Sequence, residues 1–412
     1  TVLIKLNGGL GTSMGMDRAK SLLPVREGRS FLDLIAAQVR HARQAYGARL
    51  PLILMNSFRT REDSLAALAV HPDLAVPDLP LDFLQHREPK LLAADLTPVT
   101  WPADPSLEWC PPGHGDLYTA ILASGVLEAL LEAGYRYANT SNADNLGAAP
   151  SAELAGWFAA SGAPYAAEVC RRTAADRKGG HLAIRKADGR LILRDTAQTA
   201  PEEMDYFTDE HRHPYFHTNN LWFDLRALHA ALTSRGAVLG LPLIRNVKHV
   251  DPTDPSSPEV IQVETAMGAA VEVFEGAQAV VVGRERFLPV KTTNDLLLLR
   301  SDAYAVGPDG VPRLVADPAP LVDLDRRCYT TVADLGARFP AGPPSLRQAR
   351  SLTVRGDWTF GAGVVARGDV VLGDVGEPRA VPDGAVLTDR TRADGAVGAD
   401  DAAHGPELGE EG

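Results

Sequence analysis

Cysteine and lysine are both scarce in this sequence. The 412 residues hold three cysteines, Cys110, Cys170 and Cys328, far apart and without a Cys-x-x-Cys pair. That argues against a disulfide framework or a zinc ribbon and points to buried thiols in a reducing cytoplasm. Positive charge is also in deficit: 41 basic against 53 acidic residues give a formal net charge of −12. This balance argues against nucleic-acid binding but leaves room for a small basic pocket around an anionic ligand. Only seven of the basic residues are lysines, so each lysine inside a motif carries weight. No apolar run reaches the ~18–20 residues of a membrane span, and no signal-peptide pattern opens the chain.

What remains is globular: 45% apolar and 23% charged residues exclude wholesale disorder, and the length allows two or three domains. The chain opens at Thr1 directly on a run that reads as a core strand, Val2–Leu6. We expect either a processed or mis-set start or the absence of a leading segment. Ser30-Phe31-Leu32-Asp33 is a capping-box pattern, and Leu34, Ile35, Gln38, Val39, Ala42 and Tyr46 follow at helical spacing with Gly47 as the stop. Leu50–Met55 reads as a buried strand. Asp116 is placed to cap a helix running to a stop at Gly134, and Tyr135–Thr140 reads as the next strand. This alternation predicts an α/β domain with a mainly parallel sheet. Pro164–Cys170, Leu182–Arg185 and Leu191–Leu193 read as antiparallel insertions, with Asp188-Gly189 as a hairpin turn.

Pro and Gly cluster at 307–320 and 341–344. Beyond Leu352, Arg355-Gly356-Asp357 recurs twelve residues later as Arg367-Gly368-Asp369, among short apolar runs with glycine corners. A hexapeptide period predicts β-helix coils, with a plain meander as the alternative. The expected division is 1–315 catalytic, 316–345 linker, 346–390 β-helix and 391–412 a disordered acidic tail.

Four motifs carry chemistry. Leu6-Asn7-Gly8-Gly9-Leu10-Gly11, with Lys20 beyond it, places a glycine-rich turn after a strand, where backbone N–H groups can approach phosphate without Cβ obstruction. It is not a Walker A loop, because Gly-Lys-Ser/Thr is missing. It is a poor dinucleotide turn, because the second strand ends in Met55-Asn56-Ser57 without the ribose-binding acid. Pro111-Pro112-Gly113-His114-Gly115-Asp116 displays His114 on an open backbone at a helix start. Ser141-Asn142-Ala143-Asp144-Asn145 follows a buried strand, and one acid among amides suits Mg²⁺, with Asp144 as its ligand. Lys291, in Phe287-Leu288-Pro289-Val290-Lys291, reads as a lysine inside an apolar β-run that needs an anionic partner. With no nucleophile triad in sight, these parts suit phosphoryl-type chemistry by alignment and charge neutralisation.

The same residues resemble a known family. Leu6–Gly15 with Ala19–Leu22, Leu54–Phe58, Trp109–Tyr118, Ser141–Gly147, Lys178–Gly180, Thr218–Trp222, Glu264–Ala270 and Arg286–Leu297 are similar, in order, to UTP–glucose-1-phosphate uridylyltransferases of the eukaryotic-like type. The resemblance implies a Rossmann-like nucleotidyltransferase domain with a C-terminal left-handed β-helix, Mg²⁺ as cofactor, and self-association that the β-helix could mediate. It implies that UTP and glucose 1-phosphate give UDP-glucose and pyrophosphate. Lys20 and Lys291 would be catalytic. Leu6, Asn7, Gly8, Gly9, Lys20, Gln85 and Gly113 would hold the nucleotide. His114, Asn142, Asp144, Gly179, Asp195, His217 and Asn219 would face the sugar phosphate.

Two departures fall on the sugar side. Asp195 stands where the family has Glu, and His217 stands where it has Asn. They keep open a specialised-metabolism enzyme taking another sugar or a cyclitol phosphate, such as valienol 1-phosphate, with UTP or GTP. A sugar-nucleotide-binding regulator is the non-enzymatic alternative.

Overall fold

The structure, a computed structural model, describes residues 1–172, 176, 179–196 and 199–389. The expected acidic tail at 391–412 lies outside the described residues, as do Lys178, Ala197 and Gln198 of the motifs above.

A seven-stranded sheet forms the centre. Its spatial order is Gln278–Val281, Tyr165–Arg171, Tyr215–Asp224, Tyr137–Asn142, Val2–Asn7, Leu52–Asn56 and Asp82–Leu84. Four of its six pairings are parallel, and only Tyr215–Asp224 runs against its neighbours. Val2–Asn7 and Leu52–Asn56 are covered on both faces, which is why they read as unbroken apolar runs rather than alternating ones. Tyr165–Arg171, expected in an insertion, belongs to this main sheet. A short buried run cannot show from sequence alone which sheet it joins. The hairpin His181–Ile184 with Leu191–Arg194 forms as expected, with Gly189 left-handed at its turn (φ 70°).

The helix Phe31–Tyr46 carries the full capping box, Ser30 Oγ accepting from Asp33 N (3.2 Å) and Asp33 Oδ2 accepting from Ser30 N (2.8 Å). The helix expected after Asp116 is two helices, Leu117–Ala123 and Val126–Glu132, broken at Gly125 (φ 75°). Asp116 does not cap through its side chain. It accepts instead from His86 N (2.6 Å) and sits 2.8 Å from His86 Nδ1.

At the C-terminal end Leu321–Leu324, Ser345–Val354, Val365–Leu372 and Val386–Leu387 pair in parallel throughout, so these strands are no antiparallel meander. The in-register partners are Leu352 with Val370 and Val354 with Leu372. The two Arg-Gly-Asp triplets therefore do not stack on each other. The stretch 316–345, expected as linker, holds Leu321–Leu324 and two short helices, with Tyr329, Leu335 and Phe339 buried. One apolar cluster runs from Phe31 and Leu34 through Leu296 and Tyr329 to Leu352, Trp358 and Phe360. Among the described residues no helix is long and apolar enough to cross a membrane.

Candidate functional site

Val2–Asn7, Leu52–Asn56 and Tyr137–Asn142 run parallel side by side, so their C-terminal ends open on one edge, where sheets of this kind leave room for ligands. A cleft of about 290 Å³ lies there. Asn7 is pinned in its floor by donating to Asn56 Oδ1 (2.7 Å) and Ser64 Oγ (2.8 Å). Gly8 lies against the Gln85 amide: a Cβ there would stand 2.8 Å from Gln85 Oε1 and push that side chain aside. A Cβ at Gly9 would meet nothing within 4 Å. The fold does not need a glycine at that position, whereas a ligand lying against bare backbone would. Gly11 is left-handed (φ 66°), and the returning chain closes with Lys20 N donating to Gly9 O (3.0 Å).

Lys20 and Asp144 then meet across the cleft, Nζ to Oδ2 at 2.7 Å. Asp144 is the one acid among the described residues lining it. Gly113 (φ 80°) has no space for a side chain, since its Cβ would stand 2.6 Å from Thr265 O. His114 Nδ1 accepts from Met267 N (3.0 Å), which leaves the ring proton on Nε2. Burial lowers the pKa of His114, with Asp195 acting in the opposite sense. Leu6, Asn7, Gly8, Gly9, Lys20, Gln85, Gly113, His114, Asn142 and Asp144, all expected in the site, line this one cleft. Ser21, Met55 and Pro111 also line it and were not singled out from the sequence. Ser21 Oγ is buried without a hydrogen-bond partner among the described residues, a signal that only the packed structure gives.

The remaining sugar-side residues gather beside it rather than in it. His217 N donates to Gly180 O (2.8 Å), and a Cβ on Gly180 would stand 3.2 Å from Asp195 Oδ2. Gly179 abuts the Phe216 ring. Asn219 is left-handed (φ 59°) and brings both its N–H (3.2 Å) and its Oδ1 (3.0 Å) to His217 Nδ1. His217 and Asp195 both act electrostatically with His114, which ties this cluster to the cleft.

Burial pushes the His217 pKa down to about 4, and its Nε2 is buried without a partner among the described residues. Burial also pushes His181, stacked on His213, down to about 3, with the His213, Arg172 and Arg194 charges adding to it. A histidine held neutral by folding contributes stability above its unfolded pKa near 6.5, and that stability is lost as pH falls toward the folded value. His217 is therefore expected to cost up to about 1.4 kcal/mol per pH unit as the protein is acidified below 6.5. Thermal melts at pH 7 and pH 5 check this: the acid-induced drop should shrink in His217→Asn, and an unchanged drop would remove His217 as a cause.

Lys291 is where the sequence reading fails. It lies on a loop, not in a strand, just before the helix Thr293–Arg300, and its side chain is exposed. The apolar residues before it pack loop against loop, with Asn145 and Pro289 forming only an isolated bridge. Among the described residues no carboxylate pairs with its ammonium. It lines a second cavity of about 490 Å³ with Asp176, Arg284 and Tyr304. Its backbone nonetheless adjoins the Asp144 turn, since Val290 N donates to Asp144 O (3.2 Å).

Sequence reasoning also missed a buried charged network behind the cleft. Glu168, fully buried, accepts from Arg286 Nε (2.7 Å) and Nη2 (2.9 Å), from Trp222 Nε1 (2.9 Å) and from Asn220 Nδ2 (3.1 Å). Glu168 carried no signal, being one acid in an apolar run.

Comparison with known proteins bears on the whole arrangement. A family model described as UTP–glucose-1-phosphate uridylyltransferase matches residues 1–367. The UTP–glucose-1-phosphate uridylyltransferase of Hordeum vulgare is 38% identical over 394 residues, covering 94% of this chain and 80% of the relative. That of Saccharomyces cerevisiae is 37% identical over 389 residues, 93% of this chain and 76% of the relative. Among solved structures, a variant of UDP-glucose pyrophosphorylase from Leishmania major in complex with UDP-glucose superposes with a TM-score of 0.88. It is 42% identical and covers 94% of this chain and 84% of its own. UDP-glucose phosphorylase from Trypanosoma brucei gives a TM-score of 0.88 at 45% identity, with the same coverage.

Proposed function

The chain belongs to the UTP–glucose-1-phosphate uridylyltransferase family, and on that premise we propose how its cleft condenses UTP with glucose 1-phosphate to UDP-glucose and pyrophosphate. The observation that carries the reading is the convergence of bare glycine backbone, Lys20, Asp144 and Gln85 on one cleft. A phosphate oxygen of the sugar phosphate attacks the α-phosphorus of UTP in line. The bond to the β-phosphate breaks on the far side, and pyrophosphate leaves with the electron pair. The attacking oxygen is ionised at neutral pH, so no general base is needed, and repulsion between two anions is the obstacle.

The Leu6–Gly9 backbone holds the phosphates, and Lys20 offsets their charge. Gln85 and Gly113 read the uracil edge. His114, with its proton fixed on Nε2, donates to an oxygen of the sugar phosphate. Asn142, Gly179, Asp195, His217 and Asn219 surround the sugar. A single cleft carboxylate, with no cluster of three or more metal-ligating side chains among the described residues, fits an ion shared with substrate phosphates rather than caged by protein. Asp144 would hold Mg²⁺, which when bound neutralises phosphate charge between the two substrates.

Lys291 completes the set. Its exposed ammonium, unpaired among the described residues, is free to turn toward the α-phosphate from a backbone anchored beside Asp144. Lys291→Ala is expected to abolish turnover while leaving the melting curve in place; near-normal rates would remove it from the mechanism.

Pyrophosphate release from a matrix of four nucleoside triphosphates and several sugar and cyclitol 1-phosphates tests the reading. Fast turnover of UTP with glucose 1-phosphate supports it. If that pair is inert and another is fast, the second reading takes over: an enzyme for a different sugar or cyclitol phosphate, favoured by Asp195 and His217 beside His114. Binding without any pyrophosphate release would leave a sugar-nucleotide regulator.

The same proposal includes the division into a catalytic domain (1–315), a connecting stretch (316–345) and a C-terminal left-handed β-helix (346–390). The all-parallel pairing of the C-terminal strands supports the β-helix. The β-helix would be the surface for self-association, and the three free cysteines suit the cytoplasm.

A further inference from the structure

Lys5 is the least expected charge in the molecule. It sits in the central strand with its side chain fully buried, opposite Leu54 on one side and Ser141 on the other. Its Nζ donates to Ser141 Oγ and to the Ala148 carbonyl, both at 2.8 Å. No carboxylate touches it among the described residues. Burial pushes its pKa down to about 7, with Arg286 adding to the fall and Glu168 and Asp144 opposing it from a distance. An ammonium buried on two neutral acceptors costs stability that a methionine or leucine would not. A role other than filling space is needed to offset that cost.

Its two acceptors supply one. Ser141, in the strand that leads into the turn, and Ala148, which follows it, flank the stretch that carries Asn142, Asp144 and Asn145. The turn is also held from within, Asn145 N donating to Asn142 O (3.2 Å) and Ala148 N to Asn145 O (3.3 Å), and from outside. Ala143 N donates to Leu6 O (3.0 Å), Gln38 Nε2 donates to Leu146 O (2.9 Å), and Asn145 Oδ1 accepts from Gly147 N (3.2 Å) and Leu288 N (2.8 Å). Among the described residues, Lys5 is the one side chain that hydrogen-bonds both Ser141 and Ala148 directly.

We propose that Lys5 is a positioning residue for nucleotidyl transfer: its ammonium clips Ser141 to Ala148 and so fixes the Asp144 carboxylate where it faces Lys20 and the phosphates. This rests on the reading of Asp144 given above. The clip acts from beneath the sheet and touches neither substrate. Its loss loosens the turn without opening the core.

Lys5→Met keeps the unbranched stem and removes the charge. The variant is expected to melt within a few degrees of the parent, because removal of the buried charge offsets the two lost bonds. Its kcat should fall about tenfold or more while KM for glucose 1-phosphate changes by less than about twofold, as expected for a misplaced catalytic group. Hydrogen exchange of the amides at 143–148 should quicken about tenfold, with Leu52–Asn56 and Tyr165–Arg171 unchanged. Ser141→Ala, which keeps the Lys5 side chain but removes one of its two bonds, should give the same local exchange signature in weaker form, and it carries the test if Lys5→Met does not fold.

Unaltered exchange at 143–148, or a kcat within about twofold of the parent, would overturn the clip. Asp144→Asn separates the two ideas. If that variant turns over normally, the role given to Asp144 fails while the exchange data still report on Lys5.

Discussion

Replacing Lys20 with methionine is expected to slow UDP-glucose formation by about 10²–10³-fold, the usual loss when one fixed charge is withdrawn from a developing anionic centre. The stem of the side chain survives, so the wall of the cleft keeps its shape. The melt should move little, because both groups of the Lys20–Asp144 pair keep contact with solvent, at 15% and 20%, so Asp144 is not stranded wholly out of water. Rate and melting temperature should therefore separate: a large fall in kcat with an unmoved melt. Asp144→Asn should behave similarly, and the double variant should be little worse than either single one, since the two groups act as a unit. A rate for Lys20→Met within about threefold of the parent would sink the assignment, because no phosphate charge of consequence could then rest on that ammonium.

The largest effect on stability is expected at Arg286. Replacing it with methionine leaves Glu168, wholly buried, with Trp222 and Asn220 as its carboxylate's only donors among the described residues. Breaking a buried pair from one side costs about 3–5 kcal/mol, because the remaining charge stays desolvated. In a chain of this size that corresponds to a fall in melting temperature of about 3–6 °C. Arg286 also donates to Ala149 O (3.0 Å), and its own carbonyl accepts from Asn145 and Asn220, both at 3.1 Å. Activity should thus decline as the Asp144 turn loses its outer support. Removing both charges, as Glu168→Leu with Arg286→Met, should recover much of the stability, because no lone charge is left inside. If the single variant melts like the parent, Glu168 takes up a proton or a water at little cost and the network is not what holds these strands.

Local chemistry was well written in the sequence. Ser30 and Asp33 announced a capping box, Asp188-Gly189 a hairpin, and Leu6–Gly11 a phosphate-ready turn; each depends on a few adjacent residues and a fixed backbone geometry. The readings that missed shared one cause. The apolar neighbours of Lys291 suggest a strand but pack as a loop, and Pro164–Cys170 suggests an insertion because a short run does not say which sheet it joins. The Pro and Gly flanking 316–345 likewise say nothing of Tyr329, Leu335 and Phe339 between them, which pack into the core.

The sequence by itself determined the family, the glycine loop and ten of the residues that line the cleft, because ligand-facing backbone leaves a mark in glycine spacing and motif order. Only the tertiary structure decided who faces whom. Lys20 finds Asp144, Lys5 finds Ser141 and Ala148, and Glu168 finds Arg286, all across more than a hundred residues of chain. Charges removed from water must be satisfied by whatever the packing brings near. That choice is made by strand order and register, which no local pattern records.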